Sequence, residues 1–196
     1  PDRFLSALLA PPADREALFA LYAFNLEVAR IPSVVSEPML GMIRLQWWRE
    51  AVAEIFDGKA PRAHEVCAPL AATIRERDLP RADFERLLDA RGLDAAAEAF
   101  DTLDGLRGYL RDTGGALLAL AVAALAPAAE RAGAVERAGF AFAVAAWLRA
   151  APELRAAGRP AFPENEDETG AAKALAAEAR EALAAARRAR KTLPKA

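Results

Sequence analysis

The sequence is poor in the side chains from which most reactive centres are built. Among its 196 residues there is one cysteine, Cys67, and one histidine, His64. A single cysteine excludes an internal disulfide framework and any cysteine-rich zinc site, and it suits a reducing compartment. A single histidine leaves little scope for histidine catalysis or a histidine-rich metal site. Neither sign of charge dominates: 26 basic and 28 acidic side chains leave a net charge of −2, which argues against a general nucleic-acid binder. Long hydrophobic runs are missing as well. The longest stretch without a polar side chain, Gly114 to Ala129, is broken by Pro127 and falls short of the about 20 apolar residues of a membrane span. The chain begins with Pro1 rather than methionine and so reads as trimmed, with room for a lost targeting segment.

Alanine is what the chain has in excess, at about a quarter of all residues. Hydrophobic residues reach 54%, yet the mean hydropathy is only +0.05. Alanine is the best helix former and the poorest core filler, so this composition points to close-packed helices. There is no sustained β-alternation and no cluster of Asn-Gly or Asp-Gly turns, while apolar residues recur at helical spacing. We expect one all-α domain over residues 1–196, without internal repeats. Asp14 is expected to N-cap a first long helix that stops before Pro32, and a second helix starts near Glu37-Pro38 and runs to about Phe56. Further helices are expected over about 63–77, from Pro80 through Phe84 and Leu88, over 106–125 closed by Pro127, and over about 130–149. Residues 94–104 read as connector or short helix. Pro152, Gly158, Pro160 and Pro163 mark a loop, and a basic helix covers about 171–195.

The second helix carries the most information. Leu40, Ile43, Trp47, Ala51 and Ile55 form an apolar stripe on which Arg44 also falls. A buried arginine needs a partner: either a carboxylate such as Glu27, or an anionic ligand in a cavity. Trp47 and Trp48 project about 100° apart, so one belongs to the core and the other lines a groove or interface. His64 and Cys67 are three residues apart, but a structural zinc site takes about four ligands and no further ones stand out. The acidic run Glu164, Glu166, Asp167, Glu168 lacks the pattern of a calcium loop and reads as a solvated helix start. The basic end of the last helix, with Arg180, Arg187, Arg188, Arg190, Lys191 and Lys195, is stabilising in itself. It also suits contact with an anionic membrane surface, although large apolar residues for insertion are scarce there.

The stretch Asp14-Arg15-Glu16-Ala17-Leu18-Phe19-Ala20-Leu21-Tyr22-Ala23-Phe24-Asn25 resembles the opening of the squalene/phytoene synthase family, where a helix ends in YAFCR. Leu148-Arg149 through Gly158-Arg159 to Phe162-Pro163 resembles that family's later LRD…GR.YLP block. Asp94 and the segment Tyr109 to Gly115 fall in matching order between them, and the resemblance covers about the first 165 residues. It implies the all-α isoprenoid synthase fold with a central cavity, and further helices beyond the end of this chain. It also implies head-to-head condensation of two prenyl diphosphates on magnesium held by two aspartate-rich motifs. Hard oxygen ligands suit Mg²⁺ and neutralise the departing diphosphate.

Both motifs depart from that pattern. Against D-D-x-x-D the chain reads Ala29-Arg30-Ile31-Pro32-Ser33, and against D-x-x-E-D it reads Ala150-Ala151-Pro152-Glu153-Leu154. Only Glu153 survives of the two motifs, so the family's catalytic residues do not carry over, and no metal site or cofactor is expected although the family would use Mg²⁺. The segment from Ala20 to Glu50 is most similar to the branch that includes the synthase-like assembly factor of mitochondrial respiratory complex I. The expectation is therefore a non-catalytic binding or assembly protein. Its partners would be a protein, or an anionic prenyl diphosphate or lipid held without metal, and not nucleic acid. Arg30, Arg44, Trp47, Trp48, Arg49 and Tyr109 are the candidate ligand-binding residues. The alternative is an active prenyl transferase using other carboxylates, such as Glu27, Glu37 and Glu153. The composition and the absence of a span suggest a bacterial cytoplasmic protein, at most peripheral to the inner membrane.

Overall fold

Helical periodicity is realised throughout the computed structural model, which describes residues 2–96, 98–126 and 132–190. Among these residues there is no β-strand. In chain order the helices are α1 (Asp2–Leu8), α2 (Pro12–Ala29), α3 (Ile31–Val34), α4 (Pro38–Phe56), α5 (Cys67–Arg77) and α6 (Arg81–Ala96). They are followed by α7 (Leu103–Leu110), a π-helical turn (Arg111–Gly115), α8 (Ala116–Leu125), α9 (Ala132–Ala156) and α10 (Glu168–Arg190). The chain divides into two compact units, Pro1–Ala96 with Leu120–Ala128, and Ala97–Ala119 with Ala129–Ala196.

In the first unit α2 buries Leu18, Leu21, Phe24 and Val28; two aromatic contacts tie it to α4 and α6, and a third joins α4 to α6. Phe24 meets Trp48 edge-on at 5.5 Å and Phe84 at 5.6 Å, and Phe56 closes on Phe84 at 5.7 Å. The close approach of α4 to α6 needs a glycine: a Cβ at Gly41 would stand 2.7 Å from the carbonyl oxygen of Ala95. Arg49 on α4 adds a hydrogen bond to Asp89 on α6 at 3.2 Å. At the other end Arg77 of α5 reaches Asp14 at 2.8 Å and donates to the carbonyl of Ala13 at 3.1 Å. On α1, Phe4 stacks on Phe19, whereas Leu5, Leu8 and Leu9 are exposed.

The second unit has its own aromatic knot. Phe100, Tyr109 and Trp147 meet pairwise at 5.2, 5.7 and 5.5 Å, and the Trp147 indole N–H donates to the carbonyl of Ala161 at 2.9 Å. The π-helical turn lies against α9 through small residues. A Cβ on Gly114 would stand 2.6 Å from that of Ala143, and one on Gly139 would stand 2.7 Å from the Cα of Gly115. The buried Thr113 hydroxyl donates to the Tyr109 carbonyl at 2.7 Å, one of the groups a π-bulge redirects. Arg107 grips Glu178 of α10 with contacts of 2.5 to 3.1 Å.

Several expectations need correcting. Asp14 is not an N-cap: α2 starts at Pro12 without a side-chain cap, and Asp14 pairs with Arg77 instead. The helix expected over 63–77 begins only at Cys67, because residues 63–66 form a turn in which the His64 Nδ1 accepts from the Val66 N–H. The helix after Pro80 extends to Ala96, and that expected over 106–125 begins at Leu103 and is interrupted by the π-helical turn. Pro152 does not end α9, which continues to Ala156. Proline removes one backbone hydrogen bond, and α9, which packs against α10, continues past that gap. The acidic run does start a helix, with Asp167 accepting from the Gly170 N–H at 2.8 Å. Pro127, Glu130, Lys191 and Lys195 lie outside the described residues.

Gly41→Ala forces a methyl group against the Ala95 backbone, where nothing flexible can give way, and should cost about 1–3 kcal/mol. Gly108, in α7, has open space where its Cβ would go, and Gly108→Ala should stabilise by up to about 1 kcal/mol. Urea unfolding of the two variants checks both signs.

Candidate functional site

The stripe predicted on α4 is turned relative to the real one. Its buried residues are Gly41, Leu45, Trp48, Ala51, Val52 and Ile55, so Leu40 and Ile43 are exposed. Arg44 is exposed with them rather than buried. The contact of Gly41 with α6 fixes this rotation, since only the glycine side of α4 can come so near another backbone. Arg44 does not pair with Glu27, and among the described residues it has no carboxylate partner. Both oxygens of Glu27 go to Arg30 at the end of α2, at 2.5 and 2.7 Å.

A continuous cluster grows outward from that pair. The His64 Nε2 stands 3.9 Å from Glu27, and its ring is packed by both tryptophans, Trp48 at 5.0 Å and Trp47 at 5.6 Å. Because Nδ1 accepts the Val66 N–H, neutral His64 carries its proton on Nε2, facing Glu27. Trp48 is buried and Trp47 half-buried, the division of roles that their spacing implies. The Arg62 guanidinium lies over Trp47 at 5.4 Å. It binds Glu54 at 2.7 and 2.9 Å and Glu50 at 3.0 Å. These bonds raise the Arg62 pKa above its ordinary value. Glu54 is lowered chiefly by its bond to Arg62, and Glu50 by bonds to Gln46 and then Arg62. Burial pushes the Cys67 thiol up.

Of the six candidate residues, the structure brings Arg30, Trp47 and Trp48 into this one cluster. Arg49 is half-buried and turned to α6, where it binds Asp89 and the Leu88 carbonyl. Arg44 faces solvent, and Tyr109 belongs to the second unit, buried beside Phe100 and Trp147. Arg62 was not among the sequence candidates. Its signal is the four-residue spacing of Glu50 and Glu54, which presents two carboxylates on one helix face to a cation from the following segment. Asn25 is also buried, with an Oδ1 that lacks a hydrogen-bond partner.

The donor set around Arg30 does not fit a divalent cation. Ala29 offers no ligand, Arg30 brings positive charge, and the nearby carboxylate, Glu27, is already held by a guanidinium. Among the described residues no group of three or more His, Cys, Asp or Glu side chains is placed to hold a metal ion. The second unit has an open groove of about 610 Å³ lined by Arg111, Arg137, Phe140, Glu178, Glu181 and Arg188. In it Arg111 lies 5.0 Å above the Phe140 ring.

Removing the Arg62 charge, as in Arg62→Gln, should raise the Glu54 and Glu50 carboxyl pKa values toward the ordinary 4.5. A depressed carboxylate contributes stability above its unfolded pKa that is lost as pH falls through the folded value. The variant should therefore lose less stability than wild type between neutral pH and pH about 3. Carboxyl NMR titration reads the first effect, and denaturant unfolding at the two pH values reads the second.

Comparison with known proteins agrees with the fold and adds a lineage. The chain is 31% identical over 119 residues to "NADH dehydrogenase (ubiquinone) complex I, assembly factor 6" of Bos taurus, covering 61% of this chain and 35% of that protein. The human protein of the same name is 29% identical over the same shares, and the Drosophila melanogaster homolog is 32% identical over 61% of this chain and 37% of its own length. The chain thus spans little more than a third of these relatives. A crystal structure of a dehydrosqualene synthase in complex with ligand superposes with a TM-score of 0.74 at 18% identity, covering 97% of this chain and 70% of that one; this establishes the isoprenoid synthase fold. The profile of the family described as Squalene/phytoene synthase matches residues 1–193, and the chain belongs to that family.

Proposed function

We propose that this chain is a non-catalytic member of the family, acting as a binding and assembly protein for a protein partner. The observation that carries the reading is the Arg30–Glu27 pair at the end of α2. There the family resemblance calls for an aspartate-rich magnesium motif, and the chain offers an arginine whose charge is spent on its own neighbouring carboxylate. Ionising an allylic diphosphate requires the leaving group to be neutralised by metal, and among the described residues no group of three or more His, Cys, Asp or Glu is placed to hold one. The printed names of the relatives support an assembly role, and by that analogy the partner is a component of a respiratory NADH dehydrogenase complex.

A finer form of the reading gives the protein an anionic prenyl or lipid ligand, gripped by arginines without metal. Among the described residues Arg30 is bound to Glu27 and Arg49 to Asp89, which leaves Arg44 as the free cation of the three. One guanidinium is a weak hold on a diphosphate, so the protein-partner form has the better support. No helix among the described residues is long and apolar enough to cross a membrane, which suits a role at most peripheral to a bilayer.

Incubation with labelled prenyl diphosphates and magnesium should give no pyrophosphate and no condensed product; release of both would overturn the non-catalytic reading. Cells depleted of the protein should contain less assembled NADH dehydrogenase on native gels. Undiminished assembly would contradict the assembly role.

A further inference from the structure

The first two turns of α4 are apolar on the side that faces solvent. Met39, Leu40, Met42 and Ile43 are 68%, 45%, 37% and 59% exposed, while the opposite side is packed through Gly41, Leu45 and Trp48. Single exposed apolar residues are ordinary, but four within five positions of one helix make a contiguous patch of the kind that marks an interface. Two of them are methionines, whose unbranched side chains adapt to an opposing surface. Beyond the patch the same face turns polar, with Gln46 hydrogen-bonded to Glu50.

Two opposite charges border this strip. Glu37 stands at its start and Arg44 at its end; both are exposed, and neither has an ion-pair partner among the described residues. They are seven residues apart, about 10 Å along the axis; Glu37 is the extended N-cap residue of α4, and close to two full turns bring its Cα round to the flank on which Arg44 lies. When two helices pack antiparallel, equivalent flanks face each other. The Glu37 of one helix then meets the Arg44 of the other, and the reverse, about a two-fold axis passing beside Leu40 and Gly41. A surface with this pattern is complementary to itself, the requirement of an isologous contact. An anionic bilayer would instead repel Glu37 from the strip it has to enter.

We propose that the outer face of the N-terminal half of α4 is a homodimer interface. A second copy of the chain packs antiparallel on it, with Met39, Leu40, Met42 and Ile43 meeting their counterparts and Glu37 and Arg44 exchanging ion pairs across the two-fold axis. The reading is independent of the assembly role proposed above.

Sedimentation of the full chain over a micromolar concentration series tests it, and the wild type should show a concentration-dependent dimer. Glu37→Arg and Arg44→Glu each place like charges opposite one another and should weaken the dimer about tenfold or more. The double variant E37R/R44E should recover wild-type association, and an equimolar mixture of the two single variants should form a heterodimer. These positions are exposed, so the substitutions leave the core untouched. A wild-type chain that stays monomeric throughout, or a charge swap that restores nothing, would overturn the proposal. So would binding of the monomeric wild type to phosphatidylglycerol vesicles with loss on Ile43→Asp, which would assign the face to a bilayer.

Discussion

The approach of Gly41 to the backbone of Ala95 decides how α4 is turned, and much of the first unit follows from that rotation. With the glycine edge against α6, Leu45, Trp48 and Val52 face the interior. Trp48 then reaches Phe24 and His64, Arg49 reaches Asp89, and Met39, Leu40, Ile43 and Arg44 are left outside. A helix turned by one residue, about 100°, would bury Arg44 and expose Trp48. The cost of an unpaired buried guanidinium, several kcal/mol at least, opposes that arrangement as firmly as the glycine contact favours the observed one.

The cluster around His64 is built from side chains that satisfy one another. Arg30 is held by Glu27, His64 packs edge-on to Trp48 and tilted against Trp47, and Arg62 closes over Trp47 while bound to two carboxylates. Within this cluster Glu27, Glu50 and Glu54 are each bound by an arginine. The aromatic residues keep the helices together through contacts that need no ligand.

Much of the fold was legible from the chain. The prolines at 12, 32, 38 and 80 sit at helix starts or just before one, the glycine at 58 ends one, and the alanine and leucine periodicity gave an all-α chain. Where the reading failed, tertiary contacts decided. Apolar residues occupy both sides of the first turns of α4, so spacing alone could not tell Leu40 and Ile43 from Leu45 and Trp48. Pro152 carries a local signal to stop, yet α9, which packs against α10, continues past it. The site was legible in part: Arg30 and the tryptophan pair fall together, whereas the expected pairing of Arg44 with Glu27 fails because α4 is turned to leave Arg44 in solvent and Glu27 is held by Arg30. Arg62 escaped notice because its partners lie on the preceding helix and the intervening segment has no periodicity to place it.

The central claim is that Arg30 and Glu27 hold each other at the end of α2, which leaves that turn without a free carboxylate for a cation. Calorimetric titration with farnesyl diphosphate, run with and without magnesium, addresses it most directly. The account predicts no saturable heat that depends on magnesium. Tight binding that appears only when magnesium is present, and is lost on Glu27→Gln, would contradict it.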